Sequence, residues 1–241
     1  AFVIDIKGEN YDITGEHREQ MFPGAKVIKF SPFEEQTDRY NPLDFVRTAD
    51  NGGPTPDTFE DCRLLAEMLL PKTGKSRDEY WDLEARNILT SILMYVVCRN
   101  GYASDARTMR SVVDVLYVGD DEEDMTGTMQ VYAESINYRP LHALATAFLG
   151  HHEKVASSIL STCRAGMQIW LSDRLLSATD RSDFRFSDLK KSMCRPIDEG
   201  PAPTTIYVII PPEYLNEYRS VLRMMTGLAA VELTRVGDWV E

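Results

Sequence analysis

The chain has 241 residues, of which 43% are hydrophobic and 27% are charged, a balance that is typical of a globular protein with a sizeable core. Its formal net charge of −12 argues against non-specific nucleic-acid binding, because such binding depends on clustered lysine and arginine side chains. The sequence contains neither a secretory signal nor an apolar run long enough to cross a bilayer. We therefore expect a soluble chain.

Cysteine usage argues against a zinc site. The chain has four widely spaced cysteines, Cys62, Cys98, Cys163 and Cys194, and none of them forms a Cys-x-x-Cys pair. Three of them stand among apolar residues at helical spacing, which predicts buried free thiols and suits a reducing cytosol. No metal site is predicted.

The first forty residues predict a β-α-β unit. Residues 2–4 form an apolar run that ends at Asp5, which is typical of a strand buried on both faces. A polar segment over residues 10–21 predicts a weak helix, and residues 26–30 predict a second strand. Because the chain begins inside an apolar run, we expect it to be a piece of a longer protein.

The middle of the chain predicts helices. A turn-rich segment at 51–56 precedes them, and apolar residues then recur at steps of three and four. Beyond residue 88 the long helix is apolar nearly all round, which predicts a position at the centre of a bundle. The stripes are Phe59, Cys62, Ala66 and Leu69; Trp81, Ala85, Ile88, Leu89, Ile92 and Val96; residues 109–117; a helix opened by Pro140; and Val155, Ile159, Cys163, Met167 and Trp170.

The end of the chain returns to a strand and a helix. Residues 205–210 are β-branched and aromatic and predict a buried strand, and an apolar stripe from Tyr214 to Leu228 predicts a long final helix. The predicted fold class is therefore mainly α: α/β flanks with a partial parallel sheet, interrupted by a large inserted all-α bundle.

Three local strings then point to one family. They are Asp-Ile-Lys-Gly-Glu-Asn-Tyr-Asp-Ile-Thr at 5–14, Tyr-Asn-Pro-Leu-Asp at 40–44, and Ala-Thr-Asp-Arg-Ser-Asp-Phe at 178–184. In this order and spacing the chain resembles the TraG/VirD-type coupling proteins of type IV secretion and conjugation systems. Arg181 and Asp183 in the third string are also expected to pair.

The resemblance implies the organisation of a larger protein. The family has a membrane-anchored, hexameric, RecA-like ATPase that uses ATP and Mg at the cytoplasmic face of the bacterial inner membrane. An all-helical domain is inserted between strands of its nucleotide-binding domain. We accordingly expect a partial nucleotide-binding sheet at 1–53, the inserted all-α domain at 54–182, and a return to the sheet at 183–241.

The resemblance also implies the function. The helical domain would recruit secretion substrates for translocation: a relaxase or relaxosome, effector proteins or their adaptors, with DNA reached only indirectly. The chain itself is expected to be monomeric. A purely helical scaffold without a secretion role is a further alternative.

The chain departs from the family at the ATPase motifs. Gly74-Lys75-Ser76 ends like a phosphate loop, but position 69, where the first glycine should stand, is Leu69. The apolar strand ending in Asp-Glu, which should follow the last helix, does not occur before Glu241. We therefore predict no catalytic residue and no bound cofactor in this chain, and no ATP hydrolysis by it alone. The alternative is an ATPase portion that acts within a hexamer.

One candidate site follows the first strand. Asp5, Lys7, Gly8 and Glu9 stand at a carboxyl end, where open α/β sheets bind ligands, so we predict that they lie near the nucleotide in the intact protein. A local ion pair with a helix-start carboxylate explains them equally well. A metal-dependent nuclease is disfavoured, because only four residues precede Asp5 to supply a second acid.

A second candidate is an acidic stretch in the helical region. It could bind a basic partner, although a solvated loop is the more ordinary interpretation. Its residues are Asp120, Asp121, Glu122, Glu123 and Asp124.

Overall fold

A computed structural model of the chain divides into two compact units. The first unit comprises Ala1–Tyr40 and Asp173–Glu241, and the second comprises Asn41–Ser172. The sequence predicts the boundaries of the helical domain between residues 53 and 54 and between residues 182 and 183. The structure describes residues 1–21, 24–72, 79–99, 107–117, 127–131, 134, 136–191 and 203–235.

In the described residues the chain contains three strands, and most of its helices lie between the second and third strands. In chain order they are β1 (Phe2–Asp5), α1 (Glu9–Met21), β2 (Lys26–Phe30), a 3-10 helix (Pro42–Phe45), α2 (Thr58–Leu69), α3 (Glu79–Cys98), α4 (Met109–Tyr117), α5 (Arg139–Leu149), α6 (Glu153–Met167), a 3-10 helix (Gln168–Leu171), α7 (Asp173–Ala178), α8 (Ser187–Lys191), β3 (Thr204–Ile209), a 3-10 helix (Pro212–Tyr214) and α9 (Arg219–Thr234).

The first unit contains a small parallel sheet. Its strand order is β1-β3-β2, with Ile4 opposite Val208 and Ile28 opposite Ile206. The central strand β3 is buried along its whole length, as expected for a β-branched and aromatic run covered on both faces. The prediction that the beginning and the end of the chain share one parallel sheet is confirmed.

The start of the final helix differs from the prediction. Pro211 and Pro212 have fixed backbone φ angles and no backbone N–H, so a 3-10 turn forms there first. The α-helical part, α9, then begins at Arg219 rather than near Tyr214. Tyr214 is 39% exposed and does not belong to the buried stripe.

Within the described part of the second unit, the regular elements are helices, apart from an isolated bridge between Thr48 and Pro54, and turns and irregular segments connect them. Helix α3 lies at its centre and packs against α2, α4, α5 and α6. Every residue from Ile88 to Cys98 is buried, as the continuous apolar pattern predicted. Trp170 is also buried, but α6 ends at Met167 and the tryptophan lies in the following 3-10 helix.

No helix in the described part of the chain is long and apolar enough to span a membrane. The three cysteines that the structure describes, Cys62, Cys98 and Cys163, are free and buried. Cys194 lies outside the described residues.

Burial of Cys163 gives stability a measurable pH dependence. Desolvation raises the pKa of this thiol to about 12, against an opposing effect of Arg164. In the unfolded chain the pKa of a cysteine thiol is about 8.5. Between these values the unfolded chain loses the proton and the folded chain keeps it. The free energy of unfolding should therefore fall as pH rises, by up to about 1.4 kcal/mol per pH unit from this group.

Urea unfolding at pH 8 and pH 10.5 checks this expectation. The wild-type chain should lose about 2 kcal/mol more between the two pH values than Cys163→Ala, because the variant has no thiol to titrate. Equal losses in the two proteins would show that the Cys163 thiol does not resist ionisation.

Candidate functional site

Asp5 ends β1 and caps the helix that follows. Its side chain is 2% exposed, and its carboxylate accepts hydrogen bonds from the backbone N–H of Tyr11 at 2.9 Å and from Asn10 Nδ2 at 3.2 Å. A carboxylate at this place satisfies otherwise unpaired N–H groups in the first turn of α1 and interacts favourably with the helix dipole. Asp5 therefore fixes the direction in which α1 leaves the sheet.

Lys7, Gly8 and Glu9 form the turn between β1 and α1. Gly8 has a φ of +77°, a left-handed conformation that favours glycine. Lys7 Nζ lies 3.7 Å from Glu9 Oε1, and both side chains are about two-thirds exposed. The structure thus contains the predicted local ion pair and helix-start carboxylate, and a pair this exposed contributes little stability. A role near the nucleotide remains a prediction.

Polar contacts attach α1 to the central strand. Thr14 Oγ1 and the Tyr207 hydroxyl share a hydrogen bond at 2.6 Å, and Arg18 donates to Thr205 Oγ1 at 3.1 Å. The ring of Tyr11 meets the ring of Tyr207 edge-on, with centroids 5.4 Å apart. These contacts explain how a helix whose only buried residue is Gly15 is held on the sheet.

The loop after β2 folds back on its own strand. The backbone N–H of Lys29 donates to Asp38 Oδ2 at 2.7 Å, and that of Ser31 donates to Thr37 Oγ1 at 2.8 Å. The backbone N–H of Asp38 returns a bond to the carbonyl of Lys29 at 2.8 Å. The loop is therefore a closed, hydrogen-bonded turn at the carboxyl edge of the sheet.

The last residues before the second unit bond to residues that follow it. The backbone N–H of Tyr40 donates to the carbonyl of Ala178 at 3.0 Å, and that of Asp183 donates to the carbonyl of Arg39 at 2.9 Å. Arg39 Nη1 also donates to both carboxylate oxygens of Asp180, at 3.0 and 2.8 Å. We call residues 39–40 together with 178–184 the crossing.

Aromatic packing closes the crossing. The ring of Tyr40, which is 3% exposed, stacks on Phe184 with centroids 5.3 Å apart and tilts against Phe186 at 4.7 Å. Arg181 Nε lies 3.1 Å from Asp183 Oδ1, the pairing that the sequence indicated. Sequence reasoning missed the larger arrangement, although Tyr40 and residues 178–184 belong to two of the three family-like strings.

A cavity of about 490 Å³ lies beside the crossing within the first unit. Phe33, Thr37, Arg39 and Arg174 are among its lining residues. The ring of Phe33 stacks on Tyr214 with centroids 4.6 Å apart, and the guanidinium of Arg174 lies 5.7 Å from its centre. The described lining also includes the carboxylates of Glu34, Glu35 and Asp173, so charges of both signs face the cavity.

Within the described ranges, no group of three or more His, Cys, Asp or Glu side chains is arranged to hold a metal ion. The acidic stretch lies outside the described residues, as does Gly74-Lys75-Ser76.

Comparison with known proteins decides the family. The family model described as "Type IV secretory system Conjugative DNA transfer" matches residues 1–237. The chain belongs to this family. The recognition of a coupling-protein fragment from the three strings is thereby confirmed.

Individual members of the family are much longer than this chain. The conjugal transfer protein TraG of Escherichia coli is 23% identical over 95% of the chain, which spans 34% of that relative. Protein VirD4 of Rhizobium radiobacter is 25% identical over 93% of the chain, which spans 30% of it. The chain therefore covers about a third of the length of these curated relatives.

Solved structures of the conjugative coupling protein TrwB share the fold. The unbound monoclinic form has a TM-score of 0.62 at 14% identity, covering 96% of this chain and 43% of that one. TrwB in complex with ADP and Mg²⁺ has a TM-score of 0.59 at 14% identity, covering 96% of this chain and 45% of that one. At this level of identity the similarity shows a shared fold and nothing further about this chain.

Proposed function

We propose that this chain is the substrate-receiving part of a type IV coupling protein. In this proposal the second unit, Asn41–Ser172, is an all-α domain inserted into a partial RecA-like nucleotide-binding domain. It recruits relaxosome components, effector proteins or their adaptors for translocation. The sequence places the limits of this proposed domain at 54–182.

The path of the chain is the observation that carries the proposal. The chain leaves a parallel sheet after β2. In the described part of 41–172 its named elements are all helices, and it returns to the centre of the same sheet at β3. The crossing joins the two sides of this excursion by backbone hydrogen bonds. An insertion held in this way can vary its exposed surface without altering the sheet, which suits a domain that selects partners.

The charge of the chain favours protein partners over direct DNA contact. A net charge of −12 repels phosphate and attracts basic proteins. We accordingly propose that DNA reaches this domain through a bound protein. Attachment to the inner membrane and assembly as a hexamer belong to the intact protein in this proposal.

A pull-down tests the proposal. The full 241-residue chain, used as bait in a lysate that contains the matching secretion system, should capture a relaxase, effector or adaptor. Neutralising four acids of the acidic stretch should weaken this capture and flatten its salt dependence, because salt screens attraction between opposite charges. The substitutions are Asp120→Asn, Asp121→Asn, Glu122→Gln and Glu123→Gln.

A matched control changes the same charge elsewhere. Glu9, Asp12, Glu16 and Glu19 are exposed on α1, and their neutralisation should leave capture nearly unchanged. Capture of no secretion substrate by the wild-type chain would contradict the proposed function. Equal weakening by both sets of substitutions would contradict the role of the acidic stretch.

A second candidate function is participation in ATP hydrolysis within a hexamer. It is favoured by the exposed Lys7 and Glu9 at the carboxyl edge of the sheet and by the ADP and Mg²⁺ complex of TrwB. The residues present do not provide a phosphate site by themselves, because the sequence contains no complete phosphate loop and no Asp-Glu pair follows the final helix.

We expect the isolated chain to release no phosphate from ATP above background and to elute as a monomer with or without nucleotide. Phosphate release and size-exclusion chromatography measure the two properties. Saturable turnover, or assembly induced by ATP, would favour the second candidate over the first.

A further inference from the structure

The described residues of the second unit surround an open groove of about 530 Å³. The end of α2, the beginning of α3 and the last turns of α6 surround it. Leu70, Pro71, Trp81 and Ala85 provide its apolar lining, and Trp81 is half-buried. A groove of this size and polarity falls within the range of ordinary ligand-binding sites.

Asp82 gives the groove a negative charge. It is the one ionisable residue among the described residues that line the groove, and it is 8% exposed. A carboxylate has several lone-pair sites, so it can accept a hydrogen bond from an incoming cation beside those that it already makes. Its burial lowers the local dielectric constant and so strengthens attraction to a positive group while disfavouring an anion.

Helix α6 presents small residues to the groove, so a partner chain can approach its backbone closely. Thr162, Ala165 and Gly166 form this side. A Cβ atom at Gly166 would lie only 2.2 Å from Leu70 Cδ2, so Leu70 is packed directly against bare helix backbone. Larger side chains on this face of α6 would fill the groove.

We propose that this groove binds a protein segment in which an apolar side chain stands next to a lysine or arginine. The apolar side chain contacts Trp81 and Leu70, and the cation bonds to Asp82. The inference rests on the proposed function, since it identifies the chemistry by which the helical unit holds a secretion substrate. Charge complementarity favours a basic segment as the occupant. The net negative charge of the chain attracts a basic partner, and the Asp82 carboxylate lies in the groove where its cation would bind.

Calorimetric titration of the full chain with two synthetic helical peptides tests the groove. The peptides have the same leucine positions and differ only in carrying lysine or glutamate beside them. The lysine peptide should bind the wild-type chain. Asp82→Asn removes the charge and should weaken binding by about tenfold or more, as expected for a lost charge-assisted contact. Thr162→Trp fills the groove with a large ring and should weaken binding by at least as much.

Two control variants separate the groove from general charge and helix effects. Ser158→Trp places the same ring on an exposed position of α6 outside the groove, and Asp114→Asn removes the same charge from an exposed position of α4. Both should bind the lysine peptide within about twofold of wild type.

Unchanged binding by Thr162→Trp would overturn the proposal, as would equal binding of the glutamate peptide or equal losses in Asp82→Asn and Asp114→Asn. Because Thr162→Trp alters a partly exposed position, it keeps the test valid if Asp82→Asn fails to fold. If the pull-down captures no secretion substrate but the lysine peptide binds in the groove, the proposed function is contradicted and the peptide-binding groove is not. If the pull-down succeeds but the peptide does not bind, only the groove proposal is contradicted.

Discussion

Replacement of Leu89 by alanine should lower the free energy of unfolding by about 3 kcal/mol, because it removes a fully buried side chain and leaves a cavity. Leu89 is 0% exposed and lies on α3, the helix that contacts α2, α4, α5 and α6. The surrounding helices cannot all move inward to fill the space. Urea unfolding followed by far-ultraviolet circular dichroism measures the loss.

Leu83 on the same helix provides a matched control. It is 40% exposed, so Leu83→Ala makes the same chemical change with the same helix propensity and should cost only about 0.5 kcal/mol. Similar losses in the two variants would show that α3 is not the centre of the helical unit.

Replacement of Asp61 by alanine should also be strongly destabilising, by about 3 kcal/mol, because it removes a nearly buried partner of Arg47. The Asp61 carboxylate is 4% exposed and accepts from the Arg47 backbone N–H at 3.0 Å, from Nε at 2.9 Å and from Nη2 at 2.9 Å. These bonds tie the segment before α2 to the first turn of that helix.

The substitution Asp57→Ala is a control for the simple loss of a negative charge beside Arg47. It pairs with the same arginine, Nη1 to Oδ2 at 2.9 Å, but its side chain is 52% exposed. Asp57→Ala should therefore cost no more than about 1 kcal/mol, as is usual for surface pairs. Chemical denaturation of both variants at one pH decides between the two roles. A loss in Asp61→Ala as small as that in Asp57→Ala would mean that burial adds nothing to this pair.

The sheet and the helical unit could be predicted because their signals are local. The apolar run at 2–4 and the β-branched run at 205–210 indicate buried strands by composition alone, and Ile4 and Val208 do lie opposite each other. The run from Ile88 to Cys98 likewise indicated a helix surrounded by others. Periodicity and composition are sufficient where the environment of a segment is uniform.

The crossing and the exact role of Asp5 could not be predicted, because they depend on residues that are distant in sequence or on local backbone geometry. Arg39 and Asp180 are separated by 141 residues, and nothing in either string identifies the other as its partner. Asp5 matched a ligand-binding position, but its carboxylate faces the first turn of α1. A residue type at a strand end indicates a site without indicating which neighbour it binds.

An exchange of helical units tests the central claim most directly. In the full-length coupling protein that contains this chain, residues 41–172 would be replaced by the equivalent segment of a relative that serves a different cargo, and transfer of both cargoes would be counted. The proposed function predicts that transfer follows the relative from which the helical unit came. Continued transfer of the original cargo alone, by a hybrid that still functions, would contradict it.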